Sequence, residues 1–189
     1  MHCLEVLERS VAEFRHRLEA VAPDRWNLAT PCADWTVREL VHHVIGGNRL
    51  ACLLLAGATS EDATAAVRSG DLQGDARAHF RTSVDRQAHA FAADGALERV
   101  LDHPAGRVTG REYADYRAAD ILVHAWDLAR AVGVDDELDP AVVHIALTTY
   151  VPWVARATTD ELFGERASGS LPEGASEQLR LLDALGRRP

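Results

Sequence analysis

The sequence predicts an all-α protein, a bundle of four or five long helices with some long connections between them. Three observations predict it. Apolar residues recur at the three-to-four spacing of a helix over most of the chain. Helix-start signals stand in front of those stretches. Only one short stretch alternates as a strand would. With 189 residues, the chain suits one domain and can bury a real core.

The elements follow in order. Leu4, Leu7, Val11, Phe14, Leu18 and Val21 mark one amphipathic helix that ends near Pro23. Residues 24–34 read as a loop, because Asp, Pro, Asn, Thr and Cys break the pattern; Trp26 and Trp35 are its expected anchors. Thr36-Val-Arg-Glu39 is a capping box, and Val37, Leu40, Val41, Val44, Ala51 and Leu55 give the helix it opens a core face. Residues 57–74 are polar and glycine-containing, a loop with some helical turns. A third helix covers about 75–93, with Phe80, Val84 and Phe91 inward. Residues 97–110, with Pro104, Gly106 and Gly110 among alternating valines, are extended or a short hairpin. A helix from about Arg111 to Val132 stops at Gly133, a good residue just past a helix end. Asp139-Pro140 opens a last long helix through Tyr150 to about Ala157. Residues 163–174 are a loop and Glu177–Leu185 a short terminal helix. The expected division is residues 1–160 as the bundle and 161–189 as a tail whose short helix packs on it.

Composition narrows the function. The net charge is −9, so phosphate backbones offer nothing and nucleic acid is excluded as a partner. Every basic side chain other than histidine is arginine, which reads mainly as codon bias. Cys3, Cys32 and Cys52 are scattered, odd in number and form no C-x-x-C pair. That argues against a disulfide framework or a cysteine-based zinc knuckle and for a reducing cytoplasm. The opening residues include His2, Glu5, Glu8 and Arg9, and no signal peptide is expected. The longest apolar run, Leu50–Ala58, is too short for a membrane.

The chemistry concentrates in residues 120–131. Asp120 and His124 are four apart, so a helix projects both from one face about a turn apart. Carboxylate and imidazole so placed can grip one metal ion. Asp127 continues that face, and Tyr113 and Tyr116 precede it. The second helix carries Glu39, His42 and His43, and either histidine could supply a third ligand. Three protein ligands with an open fourth position suit a catalytic rather than a structural metal. The alternative is a buried hydrogen-bonded pair in which His124 donates to Asp120 without a metal. Among the neighbours, Asp127 either orients a ligand or is a helix-end charge. Arg130 is expected to pair with Asp127, and Cys32 to be an inert small residue. Trp35 and Trp126 are expected as packing anchors, Tyr113 and Tyr116 as core residues. His144, on the last helix, is expected to lie away from the site.

Thr30 through Asn48, including Cys32, Trp35, His42-His43 and Gly46-Gly47, resembles the opening signature of the DinB-like superfamily. Within it the chain is most similar to actinobacterial metal-binding proteins related to mycothiol-dependent maleylpyruvate isomerase. The block from Asp120 to Gly133 resembles that branch's second signature, and Phe163-Gly164 with Leu181 through Pro189 resembles its ending. The resemblance implies a DinB-like four-helix bundle, with extra short helices, around a divalent metal. The branch uses a histidine of the second helix, which maps onto His43, and an E-x-x-x-H pair, which maps onto Asp120 and His124. Aspartate here shortens that ligand by one methylene. The further C-terminal domain of the full isomerase finds no counterpart, so its substrate contacts do not carry over.

The expected function is a cytoplasmic metal-dependent enzyme of this type. His43, Asp120 and His124 would hold zinc or nickel. The open position would activate a low-molecular-weight thiol such as mycothiol, or water, toward an electrophilic small molecule, for transfer, isomerisation or detoxification. The alternative is a non-catalytic metal- or ligand-binding bundle, in either case with a homodimer as a possible state.

Overall fold

The computed structural model describes residues 1–70, 73–155 and 167–188. Its order is α1 (Cys3–Glu19), α2 (Val37–Leu55), α3 (Ser60–Arg68), α4 (Ala76–Phe91), β1 (Val100–His103), β2 (Gly106–Thr109), α5 (Gly110–Val132), α6 (Pro140–Ile145), a π-helical segment (Ala146–Tyr150), α7 (Val151–Val154) and α8 (Glu177–Ala184). The expected all-α bundle stands, with, among the described residues, one small antiparallel hairpin in which Val100 pairs with Thr109 and His103 with Gly106.

The start signals act as their chemistry requires. Thr36 and Glu39 form both halves of the capping box. The same device recurs, unread from the sequence, where Thr109 and Glu112 open α5. Asp75 and Asp139 cap α4 and α6 with their carboxylates. The last long helix differs from expectation. Pro152 has no N–H and its ring crowds the turn before it. The helix accommodates it with the π segment, where the Val151 N–H reaches back five residues to Ala146 O. Arg156, Ala157 and the Phe163-Gly164 block lie outside the described residues.

Four helices make the bundle. α1 packs along α5, α2 along α4, and the ring closes through α2 with α5 and α1 with α4. Leu40, Ile45, Leu54, Phe14, Phe80 and Leu122 are among its fully buried side chains. α5 differs in kind from its neighbours: Ala114, Ala118, Ala119, Ala125, Leu128 and Ala129 are buried around it rather than along one stripe. A helix apolar on all sides belongs inside, and its alanines let the neighbours approach. Arg117, His124 and Asp127, in its middle, therefore face protein, while Arg111, Glu112 and Arg130 near its ends stay exposed. α8 packs on α6, burying Leu181 and Leu182.

Candidate metal centre

The site forms where α2 faces α5. Nε2 of His43 lies 3.6 Å from Oδ1 of Asp120, and Nε2 of His124 lies 3.5 Å from the same oxygen. The His43 and His124 rings meet edge to face at 4.7 Å. One ligand atom from each residue falls within 4.8 Å of the other two. These spacings are too long for good hydrogen bonds. They lie close to the separation of about 3.3–3.5 Å expected between ligands about 2.0–2.1 Å from a shared tetrahedral cation. The residues present therefore fit a divalent metal, and the shorter carboxylate does reach the space between the two imidazoles. His42, in contrast, turns away, with Nε2 buried and without a hydrogen bond.

Asp120 offers only one oxygen to that space. Its Oδ2 accepts a 2.5 Å hydrogen bond from Arg117, one turn earlier on α5. Arg117 is held in turn by Asn48 Oδ1 at 2.8 Å, and Asn48 donates to Ser83 Oγ at 3.0 Å. Gly47 makes room for this guanidinium: a Cβ there would sit 2.7 Å from Arg117 Cζ. Burial alone would push the Asp120 carboxyl up, but the charges of His124 and Arg117 reverse that and hold it well below the usual carboxylate range. The carboxylate is thereby kept ionised.

His124 is fixed from its other nitrogen. Nδ1 lies 2.9 Å from Oδ2 of Asp127, whose side chain is 0% exposed. An ionised carboxylate only accepts, so Nδ1 carries the proton and Nε2 is left for the site, the usual arrangement behind a metal-bound histidine. Burial would lower the His124 pKa, but Asp120 and the contacts with Asp127 and Cys32 raise it well above the ordinary value. A cation held here would take the place of the Nε2 proton. His43 stands at the rim with 39% of its side chain exposed. The crowding walls, against the pull of Asp120, lower its pKa and favour the neutral ring a metal needs.

Asp127 has a second partner that the sequence did not indicate. Arg187, from the tail, donates to it twice, Nη2 to Oδ2 at 2.7 Å and Nε to Oδ1 at 3.2 Å. Arg130 pairs instead with Asp136 at 3.1 Å and lies over Trp126, so the expected Arg130–Asp127 pair is corrected. The reason is direction: Asp127 points into the bundle, whereas Arg130 is exposed. Burial would raise the Asp127 carboxyl, yet its hydrogen bond to His124 and the Arg187 charge bring it down to about 2.

Cys32 also comes closer than expected of an inert loop residue. Sγ is 3.1 Å from Asp127 Oδ2 and 3.8 Å from His124 Nδ1. The loop folds back on α2 through Val37 N–Leu28 O and Arg38 N–Trp26 O bonds, and Thr30 Oγ1 ties Cys32 to Trp35. This sets the Trp35 ring 4.7 Å from that of His43, a wall of the site as well as an anchor. Cys32, His124 and Asp127 also form a possible ligand group, but the Arg187 guanidinium, 3.4 Å from the sulfur, already supplies its positive charge. Tyr113 is a core residue 1% exposed, packed on Phe91 and His103. Tyr116 stacks on Trp153 at 4.1 Å. His144 is exposed and pairs with Glu177 at 2.9 Å, outside the site.

A family profile described as the mycothiol maleylpyruvate isomerase N-terminal domain matches residues 7–129. The chain belongs to that family. The matched span holds α2 and nearly all of α5, and so His43, Asp120, His124 and Asp127, but not Arg187. Two uncharacterized proteins of Mycobacterium tuberculosis, from strains CDC 1551 / Oshkosh and ATCC 25618 / H37Rv, are each 34% identical over 134 residues, 70% of this chain and 69% of theirs. The crystal structure of the mycothiol-dependent maleylpyruvate isomerase superposes with a TM-score of 0.62, and that of a histidine-to-alanine mutant of it with 0.65. Both are 17% identical, and the match covers 79% of this chain and 68% of theirs, which shows a shared fold. Among the described residues no helix is long and apolar enough to cross a membrane.

Proposed function

We propose that this family member is a metal-dependent enzyme that activates a low-molecular-weight thiol, mycothiol in its natural setting, for addition to an electrophilic small molecule. One observation carries the reading: His43 and His124, from facing helices, meet a single oxygen of Asp120 at 3.6 and 3.5 Å, the spacing of ligands around a shared cation. In this reading residues 1–160 are the metal-bearing bundle and 161–189 a tail packed on it. The protein works in the cytoplasm, where thiols stay reduced.

A divalent zinc or nickel ion held there supplies a positive charge that lowers the pKa of a bound thiol or water. The chain's own residues do the rest. Asp120 gives one oxygen to the site while Arg117 holds the other, so the carboxylate cannot swing out. Asp127 keeps the His124 ring aimed. Trp35 covers the site and excludes water from the side of the loop. His43, at the exposed rim, marks the side from which thiol and electrophile enter.

Metal analysis of protein purified without a histidine tag tests the site. Near-stoichiometric zinc or nickel, lost in His43→Ala and His124→Ala, is the expected result; metal-free wild type sinks it. Thiol-dependent consumption of an electrophile panel, abolished by chelator, tests the activity. Stoichiometric metal without any thiol turnover gives the binding bundle instead.

A further inference from the structure

We propose that Arg187 is a positioning residue for the metal centre: it fixes Asp127, Asp127 fixes His124, and the C-terminal tail thereby completes the site. The inference rests on the metal-site reading above and adds a residue outside the span that the family profile matches.

The local structure delivers Arg187 to its place. α8 ends at Ala184, and Gly186 follows with φ +79, a left-handed conformation that favours glycine. The Gly186 N–H bonds to Asp183 O at 3.0 Å and the Arg187 N–H to Leu182 O at 2.9 Å. That paired closure is a Schellman motif, which turns the chain back across the helix end. Leu181, Leu182 and Leu185, at most 6% exposed, hold α8 on the bundle. The guanidinium then has one direction, and Nη1 is steadied on Leu185 O at 2.7 Å.

The contact at Asp127 is of the kind that sets orientation. The terminal torsion of an aspartate is broad and weakly held. A two-point guanidinium fork fixes the carboxylate plane as a single donor does not. With that plane fixed, Oδ2 sits 2.9 Å from His124 Nδ1, and the opposite nitrogen faces Asp120. Arg188, the next residue, reaches Asp183 instead, with half of its side chain exposed, so the two neighbouring arginines have separate tasks.

The test titrates full-length protein, stripped of metal, with cobalt(II), reading the dissociation constant and the ligand-field absorption. Wild type is compared with Arg187→Gln, Arg187→Lys and Arg188→Ala, and with the double variant Asp127→Asn/Arg187→Gln, which leaves no buried carboxylate unpaired if Arg187→Gln folds poorly. The expected result is cobalt affinity weakened about 10–100-fold in Arg187→Gln and in the double variant, with an altered absorption band. Arg187→Lys should fall between, since an ammonium keeps the charge but not the fork, and Arg188→Ala should match wild type. If wild type binds cobalt and the Arg187 variants bind it equally with the same spectrum, the positioning role is overturned and the metal site stands. If wild type takes up none, both fall.

Discussion

His124 faces two carboxylates and meets them at different distances. Asp127 is within hydrogen-bonding reach at 2.9 Å, wholly buried and tied to Arg187. Asp120 stands 3.5 Å away, with His43 a further 3.6 Å beyond its oxygen. One side is closed by protein charge; the other is spaced for a cation. The closed side gives order to the open one. An imidazole held from one nitrogen offers the other in a fixed direction, and a fixed direction is what a ligand requires.

Replacing His124 breaks both sides and has the largest expected effect. In His124→Ala the metal is lost, and Asp127 loses a partner while buried, at a cost of about 1–3 kcal/mol. His43→Ala should abolish metal uptake with little change in metal-free stability, because His43 stands exposed at the rim. Urea unfolding of both proteins in chelator separates the two effects; equal stability loss in the two variants would erase the distinction drawn between the sides.

Acid sharpens the contrast next. The Asp127 carboxyl is brought down to about 2, below an unfolded value of about 3.9. A depressed carboxylate contributes stability that is present above the unfolded pKa and disappears as pH falls through the folded one. The shift corresponds to on the order of 2 kcal/mol at neutral pH. Metal-free Asp127→Asn should therefore be less stable than wild type at pH 7, and the gap should close between about pH 4 and pH 2. Denaturation curves at pH 7 and pH 3 check it, and a gap that stays constant would show that the buried pair does not set this pH dependence.

The smallest effect belongs to Arg130. Its pair with Asp136 is exposed, and such pairs contribute about 0–1 kcal/mol. Arg130→Ala should leave cobalt affinity unchanged and shift stability by less than about 1 kcal/mol. A clear loss of metal binding in this variant would put Arg130 back in the role assigned to Arg187.

Much of this was legible in the sequence because it depends on near neighbours. The Thr36 and Glu39 capping box, the Asp139 cap and the end of α5 at Gly133 are interactions within one helical turn. Asp120 and His124 share a helix face by spacing alone, and Arg117, three residues before Asp120, was open to the same reasoning. Pro152 carried the signal for the break in the last helix. Other features had no local sign. The choice between His42 and His43 needed the family resemblance, since both lie on one helix and only the packing of α2 on α5 sets His43 rather than His42 beside Asp120. Cys32, a small residue in a loop, gained its neighbours when that loop folded back over α2.

The sequence by itself determined α1, α2, α4 and α5, the caps at Thr36 and Asp139, the stop at Gly133 and the Asp120–His124 pair, because each follows from contacts a few residues apart; the helix α3 and the π segment it did not show. Tertiary structure alone decided what surrounds the pair. It set the 3.6 Å approach of His43, on α2, to Asp120, on α5. It also chose Arg187 over Arg130 as the partner of Asp127, across 60 residues of chain. A buried carboxylate takes whichever guanidinium the packed fold brings to it, and sequence proximity does not set that distance.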